Sequence, residues 1–218
     1  MNRYKKKVVL KKESEEFILP FIIPSKCKDL NAHFIENPPK RLDYSAIFGN
    51  TNPIEIEVGF GTGKFLTSAG KLFPAINYIG LEITRKMVQH VANQAHDGAL
   101  SNVRVVLCDG RLYMKYVVPS ESVSRVHVYF PDPWTKKRHL KRRVINQEFF
   151  DSAYSVLKDG AYLNLYTDHK EYFEYFLEQR NIFGRFKDTS DMGFYTPTGY
   201  EQKWTREGRD IYRAVLQK

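Results

Sequence analysis

The sequence predicts an α/β fold of the doubly wound, Rossmann-like type: a mostly parallel seven-stranded sheet with helices on both faces and an antiparallel terminal strand. Three observations predict it. From Asp43 onward, short apolar and β-branched runs alternate with segments of helical spacing, and parallel strands need such crossovers. A glycine-rich turn, Gly59 to Gly63, joins the first run to the first helical segment. The last two runs have no strong helix between them, so they would pair antiparallel.

The elements follow in order. Residues 1–40 read as a basic N-terminal arm and an irregular segment, and residues 41–218 as the single folded domain. Ile54–Val58 is the first strand, and Lys64–Phe73 the first helix, with Phe65, Leu66, Ala69 and Leu72 on its apolar side. Asn77–Ile83 is the second strand, followed by Thr84 as N-cap and a stripe of Met87, Val88, Val91, Ala92 and Ala95. Val103–Leu107 and Arg125–Phe130 are the third and fourth strands. Ile145, Phe149, Ala153 and Leu157 mark a helix expected to stop at Lys158-Asp159-Gly160, a C-cap signal. Ala161–Tyr166 is the fifth strand, a helix runs from about His169 to Gln179, and Arg185–Lys187 and Ile211–Leu216 close the sheet.

Composition narrows the function. Apolar residues with glycine make about 48% of the 218 residues, as in globular domains. The longest charge-free stretch, Tyr44 to Ile54, is 11 residues, far short of the roughly 20 that span a bilayer. Two cysteines, Cys27 and Cys108, make neither a disulfide framework nor a zinc quartet, and no metal site is expected. The basic start is not followed by a signal-peptide core, because acids and Pro20 interrupt it, so a cytoplasmic location is expected. Net charge is +9, yet residues 1–12 and 136–143 each carry six Lys/Arg and no acid, which leaves the remainder at −3. Two basic arms on a mildly acidic body suit a polyanionic partner better than a fold requirement.

In such sheets ligands sit at the carboxyl ends of the strands, and the chemistry-bearing residues fall there. Glu57-Val58-Gly59-Phe60-Gly61-Thr62-Gly63 departs from the dinucleotide fingerprint, whose third glycine is replaced by Lys64. An acid before Gly59, Gly61 and Gly63 suits a nucleoside without pyrophosphate, S-adenosylmethionine being the commonest; a plain strand-to-helix turn is the alternative. Glu82 ends the second strand, where a carboxylate can accept ribose hydroxyls, and Asp109 ends the third, within reach of an adenine amino group. Each acid alone is more often a cap or turn residue, but three at three successive strand ends favour a ligand. Asp132 lies between Pro131 and Pro133 after the fourth strand, its backbone fixed, where a methyl group would be transferred to a base. The basic cluster follows directly.

The run Phe130-Pro131-Asp132-Pro133-Trp134-Thr135-Lys136-Lys137-Arg138-His139-Leu140-Lys141-Arg142-Arg143 resembles the signature of the tRNA (guanine-N7-)-methyltransferase family. Thr167-Asp168 and Thr198-Gly199-Tyr200-Glu201 resemble two further motifs of that family, and the likeness spans roughly Asp43 to Leu216. The resemblance implies methyl transfer from S-adenosylmethionine to N7 of the variable-loop guanosine of tRNA, position 46. It implies cofactor contacts, or a place at the methyl end, for Glu57, Glu82, Asp109 and the catalytic Asp132. It implies guanosine contacts for Lys136, Asp168, Thr198, Gly199, Tyr200 and Glu201, and RNA contacts for Arg138, His139, Leu140, Lys141, Arg142 and Arg143. Thr135 stands where the family usually has proline, and Gly110 where it usually has alanine.

Two other functions compete. An exocyclic-amino methyltransferase on adenine or cytosine would carry Asn/Asp-Pro-Pro-aromatic, whereas proline here precedes and follows Asp132. An RNA-binding scaffold with a decayed cofactor site would not need the acids and glycines at the strand ends. His127, His139 and His169 lie near these motifs and read as structural or phosphate-facing. The partner is expected to be tRNA, with no obligatory protein subunit, and the enzyme monomeric or homodimeric. Residues 1–12 are expected to form a flexible arm over the same RNA.

Overall fold

A computed structural model of the chain describes residues 8–21, 29–189 and 199–218. Its strands are β1 (Ile54–Val58), β2 (Asn77–Glu82), β3 (Val103–Leu107), β4 (Val123–Tyr129), β5 (Leu157–Thr167), β6 (Lys187–Asp188) and β7 (Tyr212–Gln217). They lie in the order β3-β2-β1-β4-β5-β7-β6, a seven-stranded sheet among the described residues. β1 to β5 are parallel, and β7 runs antiparallel to both β5 and β6. The expected doubly wound sheet with its antiparallel terminal strand is present.

The strands' two faces explain the layers. In β1, Ile54, Ile56 and Val58 point to one side and Glu55 and Glu57 to the other, as the period-2 pleat requires. The first side packs under α5 (Gly110–Tyr116), α6 (Gln147–Val156) and α7 (Lys170–Phe183), through Tyr113, Met114, Phe149, Phe150, Ala153, Tyr172 and Phe176. The other packs under α3 (Lys64–Leu72) and α4 (Arg85–Asp97), through Phe65, Leu66, Ala69, Val88, Val91, Ala92 and Ala95. Two short helices, α1 (Leu30–Glu36) and α2 (Tyr44–Phe48), precede the sheet, and α8 (Gly199–Arg206) lies between β6 and β7.

Side chains at helix starts satisfy amides that have no intrahelical partner. Asp43 Oδ1 accepts from Ala46 N at 3.1 Å, and Asn146 Oδ1 from Phe149 N at 2.9 Å. Thr84 occupies the N-cap position of α4, but its side chain makes no capping bond.

Several expectations change. The helix read to Gly160 ends at Val156, and β5 begins at Leu157. Gly160 does adopt a positive φ of 75°, not at a helix end but beside a register shift in the β4–β5 ladder. Leu72, assigned to the apolar side of α3, is 61% exposed. α1, α2, α5 and α8 were not anticipated, and α1 falls within residues 1–40, which were read as irregular. Nor is the described part of the N-terminal arm loose: a 3-10 helix, Lys12–Phe17, packs on α4, with Ser14 and Phe17 buried. Leu19 N donates to Val105 O at 2.9 Å, and Lys11 pairs with Asp97. Residues 1–7 and Cys27 lie outside the described residues. No described helix is long and apolar enough to cross a membrane.

Candidate active site

β1 and β4 are neighbours, but the chain leaves β1 toward β2 and leaves β4 toward β5, so their carboxyl ends diverge. A cleft of about 710 Å³ opens there. It is lined by the glycine turn, Glu57, Glu82, Asp109, Arg111, Phe130, Pro131, Asp132, Trp134 and Arg142, with Met87 and Ile83 adding apolar wall.

The turn is shaped by its glycines. Gly59, Gly61 and Gly63 all have positive φ (77°, 53° and 68°), the left-handed region that costs other residues about 1–2 kcal/mol. At Gly59 and Gly61 a Cβ would meet open space, so backbone is presented to the cleft. At Gly63 a Cβ would run into Val91, so this glycine also lets α3 and α4 close. Gly110 serves packing in the same way: a Cβ there would stand 2.7 Å from Val58, which accounts for glycine where the family usually has alanine.

The two buried acids of the cleft differ sharply. Glu82 is satisfied: Oε2 accepts from Gly61 N at 3.0 Å and Oε1 from Thr84 N at 2.9 Å, tying the second strand end to the turn. Glu57 is 4% exposed, and its Oε2 has no hydrogen-bond partner among the described residues. Burial, with the Glu82 charge adding to it, pushes the Glu57 carboxyl up to about 8, against the Leu66 amide, which pulls down. A buried acid of this kind needs a cationic or donating partner, and the cleft is where one can arrive.

Asp109 takes the capping role that its place at a strand end also allowed. Its carboxylate is grasped by Arg111, through Nε at 3.1 Å and a terminal nitrogen at 2.6 Å, and it caps α5 by accepting from Arg111 N at 3.0 Å. Burial raises its pKa, but these Arg111 bonds outweigh burial and hold the carboxyl below the usual range. An adenine amino group would share this carboxylate with Arg111.

Across the cleft, Asp132 is exposed between residues in unusual conformations. Phe130 and Trp134 have φ of 51° and 43°, left-handed for bulky side chains, and strain of this kind collects at functional sites. Phe130 is held by its N–H donating to Tyr166 O at 2.7 Å. Trp134 meets His139 edge-on at 5.6 Å between centroids and carries the Arg142 guanidinium over its ring at 5.1 Å. The basic cluster forms a 3-10 helix, Lys137–Arg142, on which Arg138, Lys141 and Arg142 are exposed, Leu140 is 41% exposed and His139 is half-buried. Arg143 is the exception and corrects the expectation of a phosphate contact: it is 8% exposed and donates from Nε to Pro133 O at 2.9 Å.

Of the other expected guanosine contacts, Lys136, Asp168 and Glu201 are not in the cleft wall. Lys136 is exposed at the start of the basic helix. Asp168, after β5, pairs with Arg209 at 3.5 Å. Glu201 is buried on α8 and pairs with Arg213 at 2.8 Å. Gly199 and Tyr200 open α8, while Thr198 lies outside the described residues. α8 reaches the cleft through Gln202, which accepts from Lys64 Nζ. Arg111, Arg209 and Arg213 were missed by sequence reasoning; only Arg111, two residues from its acid, left a local signal.

His127 and His169 serve the fold. His127 is 1% exposed, with Nδ1 on Tyr129 Oη at 2.8 Å and Nε2 on Glu55 at 2.9 Å. Burial, which Glu55 only partly opposes, pushes its pKa below the ordinary value. His169 caps α7 through Nδ1.

Comparison with known proteins follows this geometry. Residues 51–214 match the family model described as "Putative methyltransferase". A tRNA (guanine-N(7)-)-methyltransferase of Streptococcus mutans is 36% identical over 178 residues, covering 78% of this chain and 84% of the relative. The protein of that name from Pseudoalteromonas translucida is 33% identical over 191 residues, covering 84% and 79%. Among solved structures, a 30S ribosomal A1408 methyltransferase from an uncultured bacterium superposes with a TM-score of 0.55 at 14% identity, covering 82% of this chain and 95% of that one. An antibiotic-related methyltransferase superposes at 0.58 with 17% identity, covering 80% and 92%. The structural neighbours share the fold.

Proposed function

The chain belongs to the tRNA (guanine-N(7)-)-methyltransferase family, and we propose that it transfers the methyl group of S-adenosylmethionine to N7 of the variable-loop guanosine of tRNA, position 46. The observation that carries the reading is one cleft lined by Glu57, Glu82, the glycine turn and Asp132. The residues fit that cofactor. Glu57 has a buried oxygen without a partner among the described residues, Gly59 and Gly61 leave open space at the backbone, and Glu82 keeps lone pairs beyond its two amide bonds.

Bound there, S-adenosylmethionine supplies an electrophilic methyl group on a cationic sulfur. Glu57 gains a cationic partner, Glu82 accepts ribose hydroxyls, and the glycine turn permits close approach. Guanine N7 has a free lone pair and no proton, so no general base is required before attack. Asp132 therefore orients: it accepts from the guanine edge and favours the positive charge that develops on the ring. Lys136, Asp168 and the segment Thr198 to Glu201 complete the guanosine contacts. Arg138, Lys141 and Arg142 neutralise tRNA phosphates, with His139 and Leu140 on the same helix.

The test is incubation with unmodified tRNA and labelled S-adenosylmethionine, followed by borohydride and aniline cleavage at 7-methylguanosine. Cleavage at the variable-loop guanosine is expected. Label on adenosine or cytidine would support the exocyclic-amino alternative instead, and no label with intact tRNA binding would support a scaffold.

A further inference from the structure

Arg143 closes the basic cluster but faces inward. Its backbone N–H donates to Leu140 O at 3.0 Å, ending the 3-10 helix, and its side chain turns back beneath the Asp132 loop. Nε donates to Pro133 O, the carbonyl directly after Asp132, and the guanidinium lies over the rings of Tyr172 at 4.8 Å and Tyr175 at 4.6 Å. Those tyrosines stand one turn apart on α7, the helix that starts just after Asp168.

We propose that Arg143 is a positioning residue for methyl transfer, locking the Asp132 loop, the RNA-binding helix and the first turns of α7 into one unit; this rests on the function proposed above. Three pieces of chain meet at this one side chain. The loop needs such a brace, because Phe130 and Trp134 are both left-handed and Pro131 and Pro133 have no N–H with which to fix it. A guanidinium suits the place: it is planar and weakly hydrated, stacks on aromatic faces and still donates from its edge. An ammonium is a strongly hydrated point charge and cannot do both. A phosphate contact requires an accessible charge, which Arg138, Lys141 and Arg142 have and Arg143 lacks.

The experiment compares Arg143→Lys and Tyr175→Leu with Arg142→Ala in full-length protein. It reads cofactor affinity by calorimetry, the salt dependence of tRNA binding, and kcat and KM for 7-methylguanosine formation. Arg143→Lys keeps the charge, so a phosphate contact would survive it; a brace would not. The expected result is a kcat about ten- to a hundredfold lower, with cofactor affinity within about twofold and an unchanged salt slope. Tyr175→Leu should lower kcat several-fold at unchanged slope, and combining the two should cost less than the product of their effects. Arg142→Ala should instead flatten the slope by about 0.7–0.9. Wild-type kcat in Arg143→Lys, or a salt slope that Arg143→Gln flattens as Arg142→Ala does, would overturn the proposal. The binding arm decides even for a variant without turnover. A wild-type protein that forms no 7-methylguanosine would refute the functional reading, a result distinguishable from failure of Arg143.

Discussion

On the β1–β2 side of the cleft the acids are buried, Glu82 bonded to backbone amides and Glu57 with one oxygen unpartnered among the described residues, whereas on the β4–β5 side they are exposed or paired with arginines from the end of the chain. Glu57 and Glu82 are 4% and 8% exposed, and Glu82 is bonded to the turn it serves. Asp132 is exposed, Asp168 meets Arg209, and Glu201 meets Arg213. The first side is thus built by backbone geometry that stands before any ligand arrives. The second is held by ion pairs and by Arg143. An exposed pair such as Asp168–Arg209 contributes about 0–1 kcal/mol and can be exchanged cheaply for contacts to a base. Under the proposed function the first side would hold the cofactor and the second, with its exchangeable ion pairs, would meet the base.

The largest effect should come from Asp132→Ala. If the halves are separable, turnover falls by about 10²–10³ or more while cofactor affinity measured by calorimetry stays within about threefold. Loss of cofactor binding in parallel would join the two halves and break the comparison.

Gly63→Ala probes the other side. It forces a left-handed φ on alanine and a Cβ into Val91, so a destabilisation of about 2–4 kcal/mol is expected in urea unfolding. A change below about 1 kcal/mol would show that the turn is not fixed by packing on α4.

Glu57 sharpens the contrast through pH. Its folded pKa of about 8 lies above the ordinary carboxylate value, so the folded state binds the proton more tightly. The associated stability is fully present below the ordinary carboxylate range and is lost as pH rises through about 8. A cationic ligand needs the ionised form, so cofactor affinity should move oppositely, rising up to about tenfold per pH unit toward pH 8 and levelling above it. Glu57→Gln should flatten both profiles; pH-dependence that persists in Glu57→Gln would assign it to another group.

The smallest effects belong to the basic helix. Arg138→Ala, Lys141→Ala and Arg142→Ala should each weaken tRNA binding a few-fold and flatten the dependence of log K on log salt by about 0.7–0.9. An unchanged slope in all three would remove the helix from the RNA interface.

The same comparison explains what was legible in the sequence. β1 and β3 were read to the residue, because short β-branched runs, alternating with acids in β1, are bounded by turn residues. That the turn, Glu57, Glu82 and Asp109 would gather at the strand ends was legible because they lie at or next to the ends of β1, β2 and β3. Gly160 misled because positive φ serves a helix C-cap and a disrupted ladder alike. α5 was missed although Asp109 was also read as a possible cap, because seven residues, Gly110–Tyr116, are too few to show a helical period. In the base half, Asp168–Arg209 and Glu201–Arg213 join residues 41 and 12 apart, and no local pattern announces them. Arg143 was hidden by its neighbours: within a run of exposed cations, composition cannot show which one turns inward.

The central claim is that guanine N7 itself receives the methyl group on a base oriented by Asp132. It is tested most directly with tRNA carrying 7-deazaguanosine at position 46, in which C–H replaces the nucleophilic nitrogen. The account predicts binding close to that of ordinary tRNA and no methyl incorporation, against full incorporation in the guanosine control; incorporation into the deaza substrate at the control rate would contradict it.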